Sequence, residues 1–291
     1  LSILLYRGLY KDLEKMITVL VASFSLVVIG CVLAMQGTAQ AITGSDLSSG
    51  FGFAMPPEGA FVALALMGSV GATAVELFMY PYWVIEKGYP QFVGSPDGTD
   101  AWRERYRGWM RVLTTDALVC TLIALVITCA YYLLGASILN RMNVVPQGIE
   151  VVEQVSLIFT QSIGPWAKGV FMFGGFCTLF STLLVFTASS GRITVDFLER
   201  IGVGSLSQED VRIRLLRILQ IGFPLIWLFV TVMIPDTPLA LVLIGANANN
   251  LLLIPLAYGV VHLAMRTEAE WRMSSLGEIA LLFTIWVIVN F

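Results

Sequence analysis

From Met16 to Gly44 the chain carries no Asp, Glu, Lys or Arg, and the same holds from Thr237 to Met265. A bilayer core about 30 Å thick is crossed by a helix of roughly 20 apolar residues, so runs of this kind define membrane spans. Seven can be drawn: Met16–Gly44, Gly59–Ile85 (interrupted only by Glu76), Ala117–Asn140, Gly169–Gly191, Ile218–Pro235, Thr237–Met265 and Ile279–Phe291. Charged residues make up 13% of the chain, against about 25% in a soluble domain, which excludes a water-soluble globular fold. The lipid bilayer is therefore the solvent for most of this surface.

The last run is short for a span, so either Leu276 and Gly277 extend it or the chain has been cut there. The chain opens on Leu1, and Leu1–Lys15 has neither the apolar core nor the small-residue cleavage site of a secretory signal. The expectation is a piece of a longer protein, incomplete at its N-terminus.

Basic residues sort the connections. Three precede the first run, five lie between the second and third, five between the fourth and fifth, and two between the sixth and seventh, leaving only Arg141 and Lys168 of the 17. The positive-inside rule then places the first terminus in the cytoplasm and the end of the seventh run outside. We assign the chain to a bacterial inner (plasma) membrane in this orientation. The connection Asn140–Lys168 is external and long enough to hold an amphipathic helix around Val151–Thr160; Gly94–Gly98 reads as a turn-rich cytoplasmic hinge. No repeat of 20 to 50 residues occurs, and residues 1–291 are read as one transmembrane domain.

Catalytic chemistry finds no foothold. P-loop, HExxH and GxSxG motifs are absent, and the single histidine, His262, sits near the end of the sixth run, where it snorkels to the headgroups. Cys31, Cys120, Cys129 and Cys177 lie inside apolar runs without CxxC spacing, as packing residues do. No enzyme, no cofactor and no nucleic-acid partner is expected, and no signal points to a particular oligomeric state.

The second run is the unusual one. Gly68, Gly71, Glu76 and Pro81 interrupt it, and irregular backbone at membrane depth lines a cavity or lies buried in protein. Glu76 is the only acidic residue near the middle of any run, where a carboxylate must pair, protonate or bind a cation. Function is favoured over a protonated, purely structural Glu76. At helical spacing Ala72, Val75, Glu76, Met79 and Tyr80 share a face, so carbonyls released near Gly71–Thr73 can join the carboxylate around a cation. In the sixth run Asn247, Asn249 and Asn250 precede Pro255; such amides either hold helices together or face a polar path, and the residues leave both open. Gly174, Gly175, Thr178, Ser181 and Thr182 in the fourth run fit close helix packing.

Several stretches resemble one family. LALMGSVGATAVELFMYPYW is similar to the sixth helix of Nramp-type divalent metal transporters, YKDLEKMITVLVASFSLVV to the fifth, GPWAKGVFMFGGFCTLFSTLLVFTASSGRITVDFL to the eighth, and RLLRILQIGFPLIWLF with LVLIGANANNLLLIPLAYGVV to the ninth and tenth. The resemblance covers nearly the whole chain, as about helices five to eleven. It implies an all-α polytopic membrane protein, a LeuT-like, Nramp-like inverted-repeat helical bundle of which about seven spans are present and the N-terminal helices are missing, with helices one and six broken at mid-membrane around the ion.

The family's sixth-helix pattern is Gly-Ala-Thr-x-Met-Pro-His, and here Gly71, Ala72, Thr73, Ala74, Val75, Glu76 and Leu77 stand in it. The resemblance implies that the Ala72 carbonyl binds metal and that Asn247, counted back from Pro255, replaces a glutamine that contacts the ion. Val75 removes the family's thioether, for which Met79 one turn on is a substitute. The metal ligands expected are thus Ala72, Glu76 and Asn247; the family's first-helix Asp-Pro-Gly-Asn motif has no counterpart in this chain. Oxygen ligands favour a hard ion such as Mg²⁺ or Mn²⁺, carried as substrate by a secondary transporter. Leu77 and Tyr82 stand where the family carries histidines, which implies weak proton coupling. The competing expectations are an amino-acid or organic-cation transporter of the same architecture and a non-transporting Nramp-like sensor.

Overall fold

The computed structural model describes residues 10–52, 59–70, 73–143, 150–203, 208–234, 238–267 and 274–290. Among these the longer regular elements are helices: α1 (Tyr10–Met35), α2 (Gly44–Gly50), α3 (Ala60–Ser69), α4 (Ala74–Glu86), α5 (Tyr89–Val93), α6 (Asp100–Leu134), α7 (Val151–Ile163), α8 (Ala167–Arg200), α9 (Glu209–Met233), α10 (Pro238–Arg266) and α11 (Ser275–Asn290). A π-helical turn, Gly135–Leu139, continues α6. A membrane imposes this content, since backbone groups in lipid must be bonded within their own segment.

Among the described residues six stretches are long and apolar enough to cross: Thr18–Met35, Ala60–Ile85, Asp100–Leu139, Ala167–Arg200, Glu209–Met233 and Leu239–Arg266. Gly277–Ile288 is apolar but shorter, as the thirteen-residue seventh run implied. Several helices overrun their charge-free stretches. α6 begins at Asp100 and α8 continues to Arg200, because polar residues extend a helix into water as readily as apolar ones extend it through lipid. The first run behaves oppositely: α1 ends at Met35 and the chain turns before Thr43 caps α2.

The described chain forms two compact units. The first comprises Leu1–Gly52 and Tyr82–Pro238. Its core is built by α1, α6, α7, α8 and the π-turn around Val28, Cys31, Met35, Leu134, Ile138 and Phe159. Phe159 of α7 stacks on Phe24 of α1 at 5.6 Å between centroids and lies 5.0 Å from Phe171 of α8. Gly174 permits this approach, because a Cβ there would fall 2.2 Å from the Phe24 ring. The amphipathic helix expected after Asn140 is present as α7. Its buried Ser156 and Ser162 bond back to the carbonyls of Glu153 and Ile158, at 2.5 and 2.6 Å, so no hydroxyl enters the core unsatisfied there. Outside the core Leu33, Leu179 and Leu225 are more than half exposed, a distribution suited to lipid.

The expected turn at Gly94–Gly98 has both glycines at positive φ, and Trp102 Nε1 donates to the Gly94 carbonyl at 3.0 Å. The four cysteines are free: Cys31 and Cys177 are buried, Cys120 and Cys129 exposed. The packing role expected of all four thus fits the buried pair, while the other two sit on exposed helix surface.

The second unit comprises Phe53–Pro81 and Leu239–Phe291. It holds α3, the first part of α4, α10 and α11. Its boundary within α4 falls at Pro81, a residue that removes one helical hydrogen bond.

Candidate functional site

Of the residues expected to interrupt the second run, Gly68 lies at the end of α3, next to a break, whereas Glu76 and Pro81 lie inside the continuous helix α4. α3 ends at Ser69, Val70 turns to extended backbone (φ −88°, ψ 131°), and α4 starts at Ala74. Gly71 and Ala72 lie outside the described residues, so the carbonyl assigned to Ala72 remains an expectation from the family pattern.

Glu76 sits at the start of the second half-helix. The backbone N–H of Thr73 donates to Glu76 Oε2 at 2.8 Å, and the Glu76 N–H donates to Thr73 Oγ1 at 3.3 Å. This is a reciprocal capping box, with Thr73 as N-cap and Glu76 three residues in. It satisfies two amides that the break would leave bare and places a carboxylate at the positive end of the half-helix dipole. Glu76 is exposed, and only one of its oxygens is used by the box. The T-x-x-E pattern is visible in the sequence, where reading Glu76 by its membrane depth hides its distance from a helix start.

The asparagines of α10 meet α3. Asn247 Nδ2 donates to the Leu243 carbonyl at 2.9 Å and to the Phe61 carbonyl at 3.4 Å; Asn250 Nδ2 donates to the Leu64 carbonyl at 2.6 Å. Amides three residues apart on one helix thus grip carbonyls three residues apart on the other. Gly68 makes the approach possible, since a Cβ there would lie 2.0 Å from the Ala246 carbonyl oxygen. Of the two roles left open for these amides, holding helices together describes their N–H groups.

A second polar cluster lies in the first unit, toward the end of α4. Tyr82 donates its hydroxyl to Asp196 Oδ2 at 2.5 Å, Asp196 is ion-paired with Arg212 of α9, and Arg212 also bonds Glu199 Oε2 at 3.0 Å. Arg192 lies over the Trp83 ring, 5.7 Å from its centroid. Apart from Tyr82, considered only for its lost histidine, none of these residues stands out in the sequence; three helices distant in the chain must converge first.

An apolar hollow of about 830 Å³ among α1, α6 and α8, bordered by Ser25, Ile123 and Leu184, lacks the carboxylates and amides an ion would need. No group of three or more His, Cys, Asp or Glu side chains gathers among the described residues.

Residues 1–290 match the model for natural resistance-associated macrophage protein-like proteins, Nramp. The chain belongs to the Nramp family. No curated protein and no solved structure matches it. Nramp proteins are metal-ion transporters rather than enzymes, with the metal as substrate, and this Nramp chain is accordingly an integral membrane protein of metal-ion transport.

Proposed function

We propose that the protein is a secondary transporter of a divalent cation, with Glu76, the Ala72 carbonyl and Asn247 replacing part of the ion's hydration shell. The observation that carries this reading is the interrupted helix itself: α3 stops at Ser69, α4 restarts at Ala74, and the restart presents a carboxylate. A broken span exposes backbone polar groups that are tolerated only where protein or a polar cargo takes them up.

The donor set is oxygen-rich. With Val75 in place of the family's methionine, hard ions such as Mg²⁺ and Mn²⁺ are preferred over Cd²⁺. Leu77 cannot titrate, and Tyr82 is engaged as a donor to Asp196, so coupling to protons is weak. We read the two compact units as parts of one transporter domain, in a bacterial plasma membrane with the first terminus cytoplasmic.

Uptake into proteoliposomes containing the full-length protein tests the substrate class. Mutual competition among Mg²⁺, Mn²⁺ and Co²⁺, with no inhibition by amino acids or organic ammonium ions, is the expected result. Inhibition by organic ammonium ions without competition among metals overturns it, and metal binding without flux favours a sensor. Val75→Met should shift preference toward Cd²⁺.

A further inference from the structure

The Asn250 amide is half used. Its Nδ2 donates to the Leu64 carbonyl at 2.6 Å, while its Oδ1 is buried and has no hydrogen-bond partner among the described residues. The orientation is not interchangeable: turning the amide over would set its oxygen against the Leu64 oxygen, lone pair to lone pair. The grip on α3 therefore fixes where Oδ1 lies, which is beside Gly68, 2.8 Å from the position a Cβ would occupy there.

An amide oxygen buried without a donor costs on the order of 1–3 kcal/mol, and in native proteins such a group points to a water or an ion. An apolar side chain would fill the same volume without that cost. Gly68 is the residue before the last of α3, so the oxygen sits at the lip of the break between Ser69 and Ala74.

We propose that Asn250 is a specificity-determining residue of transport, its Oδ1 serving as an oxygen acceptor for the divalent cation or for a water the cation carries. The inference rests on the divalent-cation reading given above. It divides the labour of the amides: Asn247 acts from the neighbouring turn, and Asn250 uses its nitrogen to brace α3 and its oxygen to meet the cargo.

The experiment uses full-length protein in proteoliposomes, with Mn²⁺ and Mg²⁺ as probes of uptake and Mn²⁺ binding by calorimetry. Asn250→Leu should raise KM and Kd for Mn²⁺ about tenfold, the loss of one hydrogen-bonding partner. Asn250→Asp loses the Nδ2 donor as well but keeps an oxygen, and should bind Mn²⁺ at least as tightly as the parent. Equal impairment of both variants would make the Leu64 brace the whole role of Asn250 and overturn the proposal, as would an unaltered Kd in Asn250→Leu. If the leucine variant fails to insert, Asn250→Ala takes its place: a weakened Kd supports the proposal and an unaltered one overturns it. Glu76→Ala is run alongside: if it leaves Mn²⁺ binding intact while Asn250→Leu weakens it, the assignment of Glu76 fails and that of Asn250 stands; if the reverse, only Asn250 falls.

Discussion

Thr73 and Glu76 cap each other: the Thr73 amide donates to the Glu76 carboxylate at 2.8 Å, and the Glu76 amide returns the bond to the Thr73 hydroxyl at 3.3 Å. The pair restarts a membrane helix after a break, and it gives the carboxylate a structural duty beside the ion-binding one we propose. Substitutions that separate charge from capping therefore decide between them.

Three glycines should respond differently to alanine. At Gly68 the new methyl meets the Ala246 backbone oxygen at 2.0 Å, at Gly174 it meets the Phe24 ring at 2.2 Å, and at Gly175 nothing lies within 4 Å. Overpacking costs about 1–3 kcal/mol, whereas alanine gains up to about 1 kcal/mol of helix propensity over glycine. Melting temperatures in detergent should therefore fall most for Gly68→Ala, less for Gly174→Ala, and hold or rise for Gly175→Ala. In a Phe24→Ala background the further step Gly174→Ala should cost little, because the obstacle is a side chain.

Tyr82 and Asp196 should be energetically coupled. A hydrogen bond to a charged group is worth about 1.5–3 kcal/mol, reduced here because Asp196 is 25% exposed and also paired with Arg212. A double-mutant cycle of Tyr82→Phe and Asp196→Asn, read by thermal unfolding, should return about 1 kcal/mol of coupling. Additive effects would mean that the contact contributes nothing.

How far the sequence can be read follows from what each signal depends on. Six of the seven expected spans, the break after Gly68 and the amphipathic α7 all depend on local pattern, and these are legible. That Phe159 of α7 is fully buried against Phe24 and Phe171 is not, because its partners lie on helices far off in the chain. The overrun of α6 and α8 beyond their apolar stretches escapes such a reading because lack of charge marks the membrane, not the helix. At the site the split is similar: Glu76 stands out as an anomaly of charge, its bond to Thr73 does not, and the grip of Asn247 and Asn250 on Phe61 and Leu64 needs the packing of α3 on α10.

Outside the spans, acid should loosen two ties. Hydrogen bonds from the Thr43 backbone and side chain, helped by Arg141, hold the Asp46 carboxyl below its ordinary value, and the bond from Lys168 does the same for Glu153. Because these folded-state values are lowered, the stabilisation is fully present above the unfolded carboxylate range, about pH 4, and is lost as pH falls through the lowered values. Amide exchange in α2 and α7 should be protected alike at about pH 5 and about pH 8, and protection should drop below about pH 4. Lys168→Met should bring the loss in α7 to a higher pH.

The most direct test of divalent-cation transport through the broken helix compares Glu76→Gln with Glu76→Ala in proteoliposomes loaded with a Mn²⁺-sensitive dye. Glutamine can still close a capping box, so Glu76→Gln keeps the helix start and removes the charge. Transport through this site predicts that both variants insert normally and that both lose Mn²⁺ uptake, the glutamine variant at near-parental melting temperature. Parental uptake in Glu76→Gln, with loss confined to Glu76→Ala, would contradict it and leave Glu76 as a cap alone.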